Sequence, residues 1–248
     1  MATYKLGKRS PILDDRTLKF SDYTTKSVLS PPQAVRYYDM VTKWPLYYNS
    51  VYGDCTCAAA AHMIQNWTAN AGSEVTVPDQ SVLKFYEHFV GSPPPPDAGC
   101  NMLPILKYWR KSGLDGHKIH SFASVKMRHN QEAKSAIHLT GSIYIGVNLP
   151  DFTVSGDMET TPWVVPHGGP VGDAKPNTQN GHCIPAVGYT AEHLWVVTWG
   201  ILKEMSWEFY NAYADECYAV VSPDFIEKTG ATKEGFDLQA LDHDLAKL

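Results

Sequence analysis

Several large classes of protein are excluded by what this sequence lacks. No stretch approaches the roughly eighteen apolar residues of a membrane-spanning helix, and residues 1–20 hold no apolar run of the secretory kind. We therefore expect a cytoplasmic protein with no membrane partner. Charged residues make up only 19% of the chain, the net charge is −5, and no long run carries one sign. A nucleic-acid partner, which needs a basic face, is not expected. There is no CxxC pair, no HExxH and no GxxxxGK[ST] loop, so we expect no metal and no cofactor. Cysteine is sparse and odd in number, five residues at 55, 57, 100, 183 and 217, so at least one is unpaired within the chain. With no leader in view, free thiols in a reducing compartment are expected, and the sequon Asn66-Trp67-Thr68 is idle. No internal repeat is present.

What remains is an ordinary globular composition, 44% apolar over 248 residues, enough for a full core in one large domain or two lobes. Residues 1–35 read as an extended arm. An aromatic cluster follows: Tyr37, Tyr38, Trp44, Tyr47 and Tyr48. Residues 79–90 place apolar side chains at helical spacing, and residues 101–114 read as a second helix stopped by Gly113. The prolines of 91–99 form an extended connection. Then the period changes. Residues 117–125, 142–149, 182–189, 193–199 and 216–222 read as strands, with a helix at 130–141 ending on Gly141. Residues 150–181 form a long loop, residues 205–213 are ambiguous, and the tail carries a turn at Gly230 and a helix at 237–248. Helices first and strands later indicate an α+β fold. The boundaries we expect are an arm over 1–45, a helical subdomain over 46–125 and a β-rich subdomain over 126–248.

The stretch 49–67 carries the chemistry. A turn and Gly53-Asp54 lead into Cys55, Thr56, Cys57 and the alanines 58–61, strong helix formers. Asp54 is the expected N-cap, its carboxylate accepting from the first-turn N–H groups. Cys55 then sits at the positive end of the helix, where a thiol is expected to shift toward thiolate. Taken alone, this stretch is also a capped core helix with buried cysteines. Thiol catalysis further needs a base, a group to orient it and a donor for the oxyanion. His182 closes a Gly-rich loop and opens a strand, a setting that holds an imidazole at the edge of a cleft.

The segment His182 to Tyr189, followed by a strand and Trp199-Gly200, resembles the histidine strand and the Asn-Ser-Trp-Gly region of papain-like cysteine peptidases. His182, Val187, Gly188 and Tyr189 match the family pattern position by position. The family's oxyanion-hole Gln stands six residues before its cysteine, and Asn49 stands six before Cys55. Cys100-Asn101 echoes its Cys-Asn-Gly-Gly segment. The order and spacing of Cys55 and His182, about 130 residues apart, also fit. The resemblance implies a helical N-terminal half packed on an antiparallel sheet or barrel, with an active-site cleft between them. It implies catalysis by Cys55 and His182, with Asn49 as oxyanion donor. The departures are specific. The family's orienting Asn falls on Val197 when aligned on Trp199-Gly200, and on Thr198 when aligned by spacing from His182. Thr198 is the first choice, with Asp215 or Glu216 as replacements if the fold brings them alongside. Thr56 replaces the family's Trp, and Tyr52 replaces the cysteine of its usual disulfide.

Three functions follow from this resemblance. The first is a cysteine peptidase or amidase acting through a thioester on a peptide or protein substrate. The second is a catalytically weakened or inactive member that binds a peptide or glycan in the cleft. The third is a thiol acyltransferase such as a transglutaminase. Residues 1–54 leave little room for a large inhibitory propeptide, so no zymogen stage is expected. Cys57, Cys183 and His62 are expected in the core, and His167-Gly168-Gly169 in a turn. Oligomeric state is not legible.

Overall fold

The computed structural model describes residues 4–24, 30–96, 98–157, 159–229 and 236–247. The helical half is built from α1 (Cys55–Asn70), α2 (Asp79–Val90) and α3 (Met102–Ser112). Helix α2 turns Val82, Phe85 and Tyr86 inward, as its spacing requires. Gly113, at φ +86°, ends α3 by accepting a backbone angle that side chains resist. Helix α1 is buried from Cys55 to Ala69. Its alanines and small polar groups give it no wet face, which is the pattern of a helix enclosed by protein.

The second half supplies β2 (Ser121–Ser124), α4 (Asn130–Thr140), β3 (Ile143–Asn148), α5 (Asp151–Ser155) and β4 (Gly181–Tyr189). These are followed by β5 (His193–Thr198), β6 (Ile201–Ser206), α6 (Trp207–Tyr213), β7 (Ala214–Val221), α7 (Pro223–Thr229) and α8 (Leu238–Leu245). Among the described residues the sheet runs β2-β7-β3-β4-β5-β6, with β1 (Val35–Arg36) added along the end of β4. Every pairing of these strands is antiparallel. The architecture is α+β, as expected.

The central strands β3 and β4 are buried on both faces, so their alternation separates two cores. Ile143, Ile145, Ile184 and Ala186 enter the core on the far side of the sheet. Tyr144 and Cys183 enter the core shared with α1, α2 and α3. Helix α1 lies along β4 and is pinned by Trp67, which stacks on Trp109 and donates to the Thr140 carbonyl at 2.7 Å.

Several elements were not anticipated. Strand β6 is disguised by Lys203, a charged residue whose buried ammonium donates to the carbonyls of Glu159 and Thr161 at 3.1 and 2.8 Å. The ambiguous residues 205–213 turn out to be the end of β6 followed by α6. Helix α7 starts on Pro223, where a missing N–H costs nothing. Within the loop at 150–181, α5 and short turns are ordered around Asp151, which accepts from Asn177 and Asn180. The expected turn at Gly230 lies outside the described residues.

Candidate active site

The first turn of α1 begins as foreseen at Cys55, but not by the expected cap. Asp54 accepts from Cys57 and Ala58 N–H through its backbone carbonyl, at 2.8 and 2.9 Å. Its carboxylate makes no capping bond. That side chain is buried, and burial pushes its carboxyl up to about 7 against the pull of nearby Tyr48 and Asp54 N–H groups and the Asn49 amide.

Cys55 is 1% exposed, and burial pushes its thiol up to about 12. The backbone N–H groups of Cys183 and Gly7 act on the sulfur in the opposite direction but do not win. The expected thiolate is therefore not the form in this closed conformation. A helix terminus contributes at most about 2 kcal/mol to a favourable charge, and desolvation of a buried anion outweighs that.

The start of β4 meets the start of α1, since Cys55 and Cys183 share one core and Cys183 is next to His182; no hydrogen bond joins the Cys55 sulfur to His182 among the described residues. His182 is also 1% exposed. Its Nε2 lies 2.9 Å from Thr198 Oγ1, while its Nδ1 is buried without a hydrogen-bond partner among the described residues. Burial pulls the imidazole down to about 3. Strand alternation decides between the two alignments of the orienting position. Thr198 turns to His182, and Val197 turns into a separate cluster with Tyr38, Trp44 and Val187. Asp215 and Glu216 do not take the orienting place; both are spent on Lys8.

Two positive backbone angles close the β5–β6 hairpin, Trp199 at φ +46° and Gly200 at φ +73°. Such a pair is the tight turn that matches strand twist, although a non-glycine residue there is disfavoured. It swings the Trp199 ring onto His182 at 4.4 Å, nearly parallel, and onto Tyr4 at 4.9 Å.

The cleft is not empty, because the N-terminal arm runs through it. Lys5 N–H donates to the Asn49 carbonyl at 2.8 Å, and the Lys5 carbonyl accepts from Asn49 Nδ2 and Trp199 Nε1, each at 3.2 Å. Gly7 and Lys8 N–H both donate to the Gly181 carbonyl. Cys100 N–H donates to Gly7 at 2.8 Å, and Arg9 N–H donates back to Cys100 at 2.9 Å. The approach is backbone to backbone. A Cβ on Gly7 would stand 2.0 Å from the Gly53 oxygen, one on Gly99 2.1 Å from the Gly7 oxygen, and one on Gly181 2.1 Å from the Lys8 oxygen. The trace of this in the sequence is faint: Gly7 stands inside an extended stretch, and such a glycine marks a site where another backbone comes close.

The remaining predicted residues divide as follows. Asn49 is buried beside the site with its amide on Lys5 and Tyr52 carbonyls. His62 is a packed core histidine, its Nε2 2.8 Å from the Pro45 carbonyl. Cys57 and Cys183 lie in the helical core. All five cysteines are free and buried. Gly168 and Gly169 form a turn. Among the described residues no group of three or more His, Cys, Asp or Glu is placed to hold a metal, and no helix is long and apolar enough to cross a membrane.

No protein-family model matches the chain, and no curated protein matches it in sequence. Solved structures do. Xylellain, a cysteine protease from Xylella fastidiosa, superposes with a TM-score of 0.69 at 17% identity, over 89% of this chain and 97% of that one. A recombinant stem bromelain precursor gives 0.58 at 15%, over 90% and 78%. The Carica candamarcensis cysteine protease CMS1MS2 gives 0.55 at 14%, over 77% and 99%. The chain has the papain-like fold.

Proposed function

We propose that the protein is a cysteine hydrolase that cleaves amide bonds of peptides or proteins, with Cys55 as nucleophile and His182 as its acid–base partner. One observation carries this reading. Cys55, at the start of a buried helix, shares a core with Cys183, the neighbour of His182, and Thr198 Oγ1 lies 2.9 Å from Nε2 of that imidazole. With Nε2–H donating to Thr198, Nδ1 keeps its lone pair and takes the thiol proton. The thiolate attacks the substrate carbonyl. The N–H of Cys55, a first-turn donor with no intrahelical partner by position, and the Asn49 amide receive the oxyanion. His182 then protonates the leaving amine, and water releases the acyl group from the thioester. In the closed form both reacting groups are neutral and covered, so the arm leaves the cleft before substrate enters.

The burial of both groups also motivates a second reading, a chain that binds a peptide through the cleft without turning it over. The two are separated by assay of fluorogenic peptide amides before and after iodoacetamide, with mass spectrometry of the modified residue. Hydrolysis that falls in step with Cys55 alkylation, and that is missing from Cys55→Ala, supports the hydrolase. Hydrolysis that persists in Cys55→Ala removes Cys55 from the mechanism, and peptide binding without turnover favours the second reading. Incorporation of an added amine into the product in preference to water would mark an acyltransferase instead.

A further inference from the structure

We propose that the acidic recess holding Lys8 is the side-chain subsite of the cleft, and that it selects substrates carrying a lysine or arginine. This rests on the hydrolytic reading and adds the substrate class to it. The Lys8 side chain is 0% exposed. Its ammonium lies 2.8 Å from Asp215 Oδ2, 3.5 Å from Glu216 Oε1 and 3.3 Å from the Arg9 carbonyl. The two carboxylates are themselves held, Asp215 by Asn148 Nδ2 at 3.0 Å and Glu216 by the Tyr218 hydroxyl at 3.0 Å. The wall is cut away for a long side chain, since a Cβ on Gly146 would stand 2.1 Å from Lys8 Cε.

Position ties the recess to the chemistry. Lys8 is the neighbour of Gly7, which packs on Gly53, two residues before Cys55, and Gly7 and Lys8 both donate to Gly181, the residue before His182. A side chain entering this recess therefore belongs to a residue at or next to the reacting amide. The recess also has capacity beyond one ammonium. Asp215 Oδ1 is buried without a hydrogen-bond partner among the described residues, and Glu216 Oε1 meets the Lys8 ammonium only at 3.5 Å, without a hydrogen bond. A guanidinium, with five donors in a planar fork, suits that surplus. A neutral side chain would leave buried Glu216 and partly buried Asp215 without a cation, which is unfavourable, and an acidic one would add repulsion. Lys8 is thus the arm's copy of the side chain the cleft is shaped to take.

The test uses the full chain with Gly7→Ala, which unseats the arm, and coumarin amides of glycine-based peptides bearing Lys, Arg, Leu or Glu one or two residues before the amide. We expect kcat/KM for Lys and Arg to exceed Leu by at least about tenfold, with Glu lowest. The added pair Asp215→Asn and Glu216→Gln is expected to bring the Lys-to-Leu ratio close to one, with thermal melts checking that it folds. A ratio near one before those changes, or one they leave untouched, overturns the proposal. If no peptide is hydrolysed, the hydrolase reading fails separately and the recess is judged by binding. A labelled Tyr-Lys-Leu-Gly-Lys-Arg peptide is then compared by fluorescence anisotropy with its analogue carrying norleucine at the second lysine. A Kd at least about tenfold tighter for lysine supports the subsite. Equal values, or binding of neither, overturn it.

Discussion

Substituting Gly7→Ala offers a direct measure of how firmly the arm seals the nucleophile. The new methyl carbon would lie 2.0 Å from the Gly53 carbonyl oxygen. Relief of that clash moves the arm by more than about 1 Å, far enough to break hydrogen bonds whose useful range ends near 3.5 Å. Three depend on this position: Cys100 N–H to Gly7 at 2.8 Å, Gly7 N–H to Gly181 at 3.2 Å and Lys8 N–H to Gly181 at 3.0 Å. At about 0.5–1.5 kcal/mol each, their loss favours the open cleft by roughly 2–4 kcal/mol, a factor of about 30 to 1,000 in its population. Iodoacetamide labelling near neutral pH, read by peptide mass spectrometry, reports that population at Cys55. Cys217, buried in the other core, is the internal standard, because global unfolding exposes both thiols alike. We expect the Cys55-to-Cys217 labelling ratio to rise by at least about 30-fold in the variant. An unchanged ratio would mean that the arm does not cover the sulfur in solution, and the closed-cleft account would fall.

Thr198→Val keeps the shape of the site but removes the oxygen that holds His182 Nε2. It should lower kcat by at least about tenfold and alter the pH–rate profile while leaving the melting temperature nearly unchanged. A kcat equal to that of the parent would remove Thr198 from the mechanism. Stability should also vary with pH in a definite sense. Burial pulls His62 down to about 4 and His182 to about 3, below the ordinary 6.5. The unfolded chain therefore binds protons that the folded chain refuses, and stability is full above pH 6.5 and lost as pH falls toward 4. Asp54 acts in the other direction, its raised carboxyl giving stability at low pH that is lost as pH rises through about 7. Urea titrations from pH 8 to pH 4 should show net loss on the acid side, and the His62→Gln variant should lose less. Stability that stays flat down to pH 4 would contradict the buried neutral imidazoles.

Local sequence rules carried much of the fold and the identity of the candidate site. Apolar spacing in α2, glycines after α3 and α4, and β-branched residues in β3 are short-range signals, and the chain obeys them. The resemblance around His182 and Trp199-Gly200 survives because the hairpin and strand that carry it are contiguous in sequence. Lys203 hid β6, since a buried lysine satisfied by distant carbonyls reads locally as a surface residue. The charge state of Cys55 was beyond local reasoning. The helix terminus favouring thiolate is written in residues 53–58, whereas the desolvation opposing it comes from a core that includes Tyr144 and Cys183, 89 and 128 positions away in sequence. The choice of Thr198 over Val197 needed the facing of β5 relative to β4. The pairing of Lys8 with Asp215 and Glu216 joins opposite ends of the chain and was decided only when the sheet was assembled. Short-range preferences are set by a residue and its immediate neighbours in the chain. Burial, and with it every ionisation state in this cleft, is set by which distant segments exclude water together.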